Sequence, residues 1–256
     1  MTARAIWKGL IHFGEYSIPV KLYTAVREQR IQFHLLHSSD QARLKQQMVC
    51  AYEHIPVPRE EQVRGFEWED GRYVIVNDDE LKRFEPEDSR LIEVHEFVKA
   101  GDIDPLYFER VYYLGPDASQ KEYDVLAAAL SDTGMEGICT WTMRKRTYFG
   151  SLKVRGKAIR LITLRYTDEV VAATSLDLSP ARLSEKELKA GSDLVGALAG
   201  PFRPETFENE HQKRLQEMID KKAAGEKISI FRPKKKKTTA PDRLLETLEA
   251  SLRKVG

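Results

Sequence analysis

Two runs rich in β-branched and aromatic residues open the chain. Residues 5–13 and 16–25 flank Gly14, a layout that predicts two adjacent strands. Residues 31–37 alternate loosely and predict a further strand. Residues 63–68 and 72–76 enclose Glu69-Asp70-Gly71, where Asp-Gly signals a tight hairpin. Asn77 and Glu80 have capping-box spacing, so a short helix is expected over residues 77–84. Strands follow at 91–98 and 109–114. Ser119 and Glu122 cap a helix through Val125, Leu126, Ala129 and Leu130, which Gly134 stops. Residues 137–166 predict three strands with a turn at Arg155-Gly156. Lys153 and Arg155 then share one face, and Leu152 and Val154 the other. Many strands joined by short turns fit a barrel better than an open sheet.

The pattern changes at Ser184. Ser184 and Glu187 open a helix carrying Leu188, Leu194, Val195 and Leu198, and Gly200-Pro201 ends it. A second helix is expected from Pro204 through Phe207, Leu215, Met218 and Ile219 to Gly225. Residues 228–231 are short and apolar. Residues 233–241 have linker composition and include Lys234, Lys235, Lys236 and Lys237. A last helix over 242–254 places Leu244, Leu245, Leu248 and Leu252 on one stripe. The expected organisation is a β core over 4–183, a helical arm over 184–231, and a basic linker with a helix over 232–256.

Charge sharpens this picture. The chain of 256 residues holds 40 acids, so about five are expected in any 31-residue window, yet residues 137–167 contain none. The same window carries Arg144, Lys145, Arg146, Lys153, Arg155, Lys157, Arg160 and Arg165. A one-signed stripe repels itself, and a polyanion is the partner that relieves it. Residues 232–256 carry a net +5 against +1 for the whole chain, which leaves a slightly acidic body at −4. Charge is sorted among faces.

Other chemistry is weakly written. No run of 18 apolar residues predicts a membrane span. Cys50 and Cys139 make neither a disulfide framework nor a four-ligand metal site, and two cysteines suit the cytosol. His34 and His37 lack the Glu and helical setting of a His-Glu-x-x-His motif, and no phosphate-cradling glycine loop is present. Asp78, Asp79 and Glu80 suit a helix start. Neither a cofactor nor a resident metal is expected. Two rival readings are a metal-dependent nucleic-acid hydrolase using Glu67, Glu69 and Asp70, and a β-barrel RNA-binding module.

Fragments spread along the chain resemble, in order, those of bacterial Ku proteins. The first is Arg4-Ala-Ile-Trp-Lys-Gly-Leu-Ile-His-Phe-Gly14, followed by Ile18-Pro-Val-Lys-Leu-Tyr23 and Phe33-His34-Leu-Leu-His37. Val63-x-Gly65-Phe-Glu-x-Glu-x-Gly71-x-Tyr73 comes next, then Glu96-Phe97, Ile103-Asp-Pro-x-Tyr-Phe108 and Tyr112-Tyr-Leu-x-Pro116. Leu164-Arg-Tyr-x-Asp-Glu169 and the segment from Ser184 complete the likeness, which spans residues 4 to about 228.

The resemblance implies a mainly β fold with a helical arm: a barrel and a strand-built bridge that form a homodimeric ring around duplex DNA, loaded from a broken end. It implies a role in non-homologous end joining beside an ATP-dependent DNA ligase, in the cytoplasm and at the nucleoid. The signature begins at Arg4, so no N-terminal α/β domain like that of eukaryotic relatives is expected. Where many bacterial relatives have Cys-x-x-Cys, this chain has Cys50-Ala-Tyr-Glu53, so no metal or thiol role carries over.

The stripe residues, Arg43, Lys45 and the four tail lysines are the expected phosphate contacts, neutralising charge without reading bases. Lys8 and Lys21 are equally well structural or DNA-facing. Leu188, Leu194 and Leu198 are the expected dimer contacts. The leucines of the last helix either fold back on the core or fit a partner's groove, and the polar linker before them favours the partner, a ligase.

Overall fold

Seven strands close into a barrel in a computed structural model of the chain, which describes residues 4–87, 89–176, 178, 182–225 and 244–255. The strands are β1 (Trp7–Phe13), β2 (Tyr16–Thr24), β5 (Leu91–Lys99), β6 (Phe108–Pro116), β7 (Met135–Met143), β8 (Arg146–Arg155) and β9 (Ala158–Leu164). Their order is β1-β2-β6-β9-β8-β7-β5, and parallel pairing of β1 with β5 closes the ring. Every other neighbouring pair is antiparallel. Closure removes the free strand edges that invite aggregation. Ile11, Ile18, Val20, Leu22, Ile92, Cys139, Leu152, Ile159 and Leu161 point inward at alternate positions and make the core.

Helix α2 (Gln120–Thr133) covers one end of this barrel. Its Tyr123, Leu126, Ala127 and Leu130 join the core. The Tyr123 hydroxyl donates to the Leu114 carbonyl and accepts from the Ile159 amide, each at 2.8 Å. Gly134 then leaves the helix at φ +64, a left-handed conformation that glycine adopts without steric cost. The β1–β2 and β8–β9 turns lie at the same end. At the opposite end β2 runs out into residues 25–90, and the β7–β8 turn stands beside the start of β5.

Residues 25–90 contain a second, two-stranded sheet of β3 (Arg64–Glu69) and β4 (Arg72–Val76), turned at Gly71 with φ +76. Helix α1 (Asp78–Arg83) follows, with its Asn77–Glu80 capping box formed. Residues 31–37 do not make the expected strand. Of these, residues 35–37 form one side of a narrow hairpin whose bridge joins Leu36 to Arg43, and a similar bridge joins Val49 to Pro56. Alternation alone cannot make a strand when no neighbouring chain extends the ladder. Both faces of the β3–β4 hairpin are open, and Trp68 is 69% exposed.

The chain divides into two units. One holds residues up to Gln29 and from His34 to Ala172; the other holds Arg30–Phe33 and the chain from Ala173. The second unit contains α3 (Glu185–Ala197), α4 (Glu210–Ala223) and α5 (Leu244–Val255). Ser184 caps α3 with the predicted box. The helix expected from Pro204 starts later: Pro204–Thr206 is a single 3-10 turn, and α4 begins after Asn209, whose side chain accepts from the Gln212 amide. Asn209 supplies a stronger stop and start than proline at the first turn alone. Among the described residues no helix is long and apolar enough to cross a membrane.

Candidate nucleic-acid interface

The basic stripe is legible in the fold but does not form one patch. Strand β8 carries it from Arg146 to Arg155, and nine residue steps at about 3.3 Å each separate the two ends by roughly 30 Å. Arg144, Lys145 and Arg146 sit at the end from which residues 25–90 leave. Arg155 and Lys157 sit at the end that α2 covers. Between them the cations are used by the protein itself.

Lys153 ion-pairs with Glu136, whose side chain is 1% exposed and also accepts from Ser151 Oγ at 3.4 Å. Glu136 lies one residue before the acid-free window, so a count along the sequence misses it while the β7–β8 register brings it opposite Lys153. The Arg160 guanidinium lies 5.9 Å from the centre of the Tyr113 ring across the β6–β9 pair, an attraction between a cation and the ring quadrupole. Arg165 donates through Nη1 to the carbonyls of Leu106 and Phe108, fixing the entry to β6. These three residues were expected to contact phosphate; within the barrel each charge lies against one of the protein's own groups.

Arg144, Arg146, Arg155 and Lys157 are exposed and have no ion pair or hydrogen bond among the described residues. Lys145 pairs with Glu85 at 2.7 Å. Arg90, which the sequence reading passed over, stands just before β5 at the same end as Arg144 and is also exposed. No charge run marks Arg90; the antiparallel pairing of β5 with β7, Ile92 opposite Trp141, brings it near the β7–β8 turn.

Lys8 and Lys21 converge on Asp117, at 3.1 and 2.6 Å. These bonds hold the Asp117 carboxyl below the usual carboxylate range and raise the Lys21 amine. The triad ties β1 and β2 to the turn after β6. In residues 25–62, Arg43 reaches the ring of His34 at 3.1 Å, and Lys45 is exposed. The His37 Nδ1 lies 3.0 Å from both Asp40 and Ser39. Lys234, Lys235, Lys236 and Lys237 lie outside the described residues.

The acids proposed for a hydrolase are partly occupied, since Arg72 binds Glu69 at 2.6 Å. Among the described residues, no three His, Cys, Asp or Glu side chains group closely enough to hold a metal ion. Backbone hydrogen bonds from the residues that follow Cys50 lower its thiol pKa, whereas burial pushes that of Cys139 well up.

The helical unit presents open apolar surface. Leu188 and Leu198 are exposed, Leu198 at 65%, and Leu194 is half-buried. The last helix has a neighbour that its sequence position did not suggest: α5 packs along α3. Leu245, Leu248 and Leu252 are half-buried and Leu244 is more open, beside Leu188 and Val195. Within this unit α5 therefore does not stand free.

Residues 12–190 match the family model for Ku, described as the Ku70/Ku80 beta-barrel domain. Over its full length the chain is 57% identical to the non-homologous end joining protein Ku 2 of Geotalea uraniireducens, covering all of that protein. It is 41% identical over 229 residues to the non-homologous end joining protein Ku of an Anaeromyxobacter strain, covering 88% of this chain and 77% of that one. The corresponding Mycobacterium tuberculosis protein is 34% identical over 264 aligned residues, covering 98% and 95% of the two chains.

Proposed function

The chain belongs to the Ku family, and from that premise we propose that it binds the ends of double-stranded DNA in non-homologous end joining. It does so without regard to base sequence, as a homodimeric ring that protects and holds ends and engages an ATP-dependent DNA ligase. The observation that carries this reading is the unpaired arginine cluster at the barrel end where the hairpin segment departs. Arg144, Arg146 and Arg90 present fixed positive charge there. Phosphate is the part of DNA that such charges recognise, and it is the same in every sequence.

The remaining assignments follow the same logic. Arg155, Lys157, Arg43 and Lys45 extend the phosphate surface, with Lys234–Lys237 adding salt-sensitive affinity from the tail. Leu188, Leu194 and Leu198 contribute to dimer contacts. Leu244, Leu245, Leu248 and Leu252 are the contacts for the ligase, reached where their stripe stays partly open beside α3.

Binding of one DNA in linear and covalently closed forms tests the ring. Linear duplex is bound tightly and closed circles poorly, and protein loaded before the ends are blocked stays trapped at high salt. Equal affinity for both forms overturns the ring.

A further inference from the structure

The β7–β8 turn is built against local preference. Two-residue hairpins of this kind need positive φ at both central positions, which Asn-Gly supplies with little strain. Here the two positions are Arg144 at φ +53 and Lys145 at φ +62, between the paired residues Met143 and Arg146. Left-handed backbone is sterically unfavourable for each non-glycine residue, because Cβ approaches the following carbonyl oxygen. Retained strain of this sort points to a use for the side chains it displays.

Those side chains border a recess of about 530 Å³ at the barrel end. Its walls include Trp7, Ser89, Arg90, Met143, Arg144 and Lys145. Ser89 Oγ accepts from the Leu91 amide, which fixes the lip beside Arg90. Two guanidinium groups there have no partner among the described residues. The third cation, Lys145, is held by the Glu85 carboxylate at 2.7 Å. The recess thus has an apolar wall and a basic rim, and among the described residues the Glu85 carboxylate is paired on that rim.

We infer that this recess is a phosphate seat, and that Glu85 occupies the Lys145 side of it until a DNA phosphate displaces the carboxylate. A carboxylate and a phosphate oxygen make the same kind of charge-assisted bond to an ammonium group. A phosphate has further oxygens for Arg144 and Arg90, which Glu85 leaves unanswered. Arginine favours such sites because its planar fork can give two parallel bonds. The seat deepens the DNA-binding reading and rests on it. The phosphate has two sources, an internal diester of the duplex or the monoester at a 5′ end.

Two variants test the seat, with linear duplexes carrying either a 5′-phosphate or a 5′-hydroxyl as probes. Glu85→Gln removes the competing charge, so affinity rises by roughly two- to fivefold, the range of one exposed ion pair. Arg144→Asn with Lys145→Gly gives the turn its preferred residues. This variant melts roughly 2–4 °C higher, yet binds more weakly and with a flatter salt dependence. Stability and affinity then move in opposite directions, which a folding defect cannot produce. Equal changes on both probes assign the seat to internal phosphates; changes confined to the 5′-phosphorylated duplex assign it to the end. If wild-type protein binds linear duplex while both variants bind just as wild type does, the seat is wrong and DNA binding stands. If wild-type protein fails to bind linear duplex at all, the underlying reading falls first.

Discussion

At the scale of single residues, eight cations in one acid-free window are not equivalent. Lys153 faces a nearly buried carboxylate, so its removal leaves Glu136 without its counter-charge. Lys153→Met should destabilise the barrel by on the order of 1–3 kcal/mol, a partly exposed version of breaking a buried pair. Duplex affinity should stay within about twofold. Arg146→Ala should do the reverse, leaving the urea midpoint unchanged and lowering the salt slope by about 0.9 if one phosphate contact is lost. Matched denaturation and salt titrations of the two variants decide the point; a Lys153 variant that is stable but binds poorly would overturn it. Asp117 makes a second residue-level case. Its folded carboxyl lies below the ordinary range, so the Lys8 and Lys21 contacts add stability above that range and lose it as pH falls through the lowered value. Asp117→Asn should therefore be less stable than wild type at neutral pH, and the gap should close in acid once the pH has fallen through the lowered folded value. A gap that persists in acid would mean that packing, not charge, holds this corner.

At the scale of elements, α2 acts as the stopper of one barrel end, and Tyr123 is its fastening. Tyr123→Phe keeps the ring but leaves the buried Leu114 carbonyl and Ile159 amide unpaired, a loss of about 1–3 kcal/mol. The denaturant midpoint should fall while DNA affinity is retained; a coupled loss of affinity would show that the stopper shapes the binding end too. The sequence made the barrel strands and α2 legible because alternation and turn glycines agree there with the tertiary fold, although Ser119 precedes α2 without the side-chain bond expected of its capping pair. It misled at residues 31–37, where alternation has no partner strand, and at Pro204, where a proline opens only a 3-10 turn. The candidate site was legible as charge but not as geometry. Pairing of Lys153 with Glu136 depends on the register of β7 with β8, and the approach of Arg90 to Arg144 on the pairing of β5 with β7. Neither relation leaves a local mark in the chain.

At the scale of the whole molecule, the helical unit leaves apolar surface open among its described residues. Helix α4 carries Leu215, Met218 and Ile219 on one side, each half-buried so that part of the stripe stays open, and no other helix or strand packs along it among the described residues. Phe202 and Phe207, in the approach to α4, are likewise open. An amphipathic helix gains stability by burying its apolar stripe, and a contiguous open patch marks an interaction surface. A second copy of the same unit is the partner that a homodimeric ring supplies. Leu215→Glu with Ile219→Glu tests this without disturbing the barrel, because neither side chain belongs to the core. The variant should keep wild-type circular dichroism and barrel melting but sediment as a monomer. It should retain weak, salt-sensitive attraction to duplex, since the arginines of the barrel end are untouched. Trapping on end-blocked DNA should disappear, because one protomer cannot encircle what two enclose. A folded variant that keeps the dimer mass would place the ring contacts elsewhere, with the open hairpin β3–β4 the next surface to change. A monomer that still becomes trapped on blocked DNA would separate topology from dimerisation, and the ring itself would then have to be abandoned.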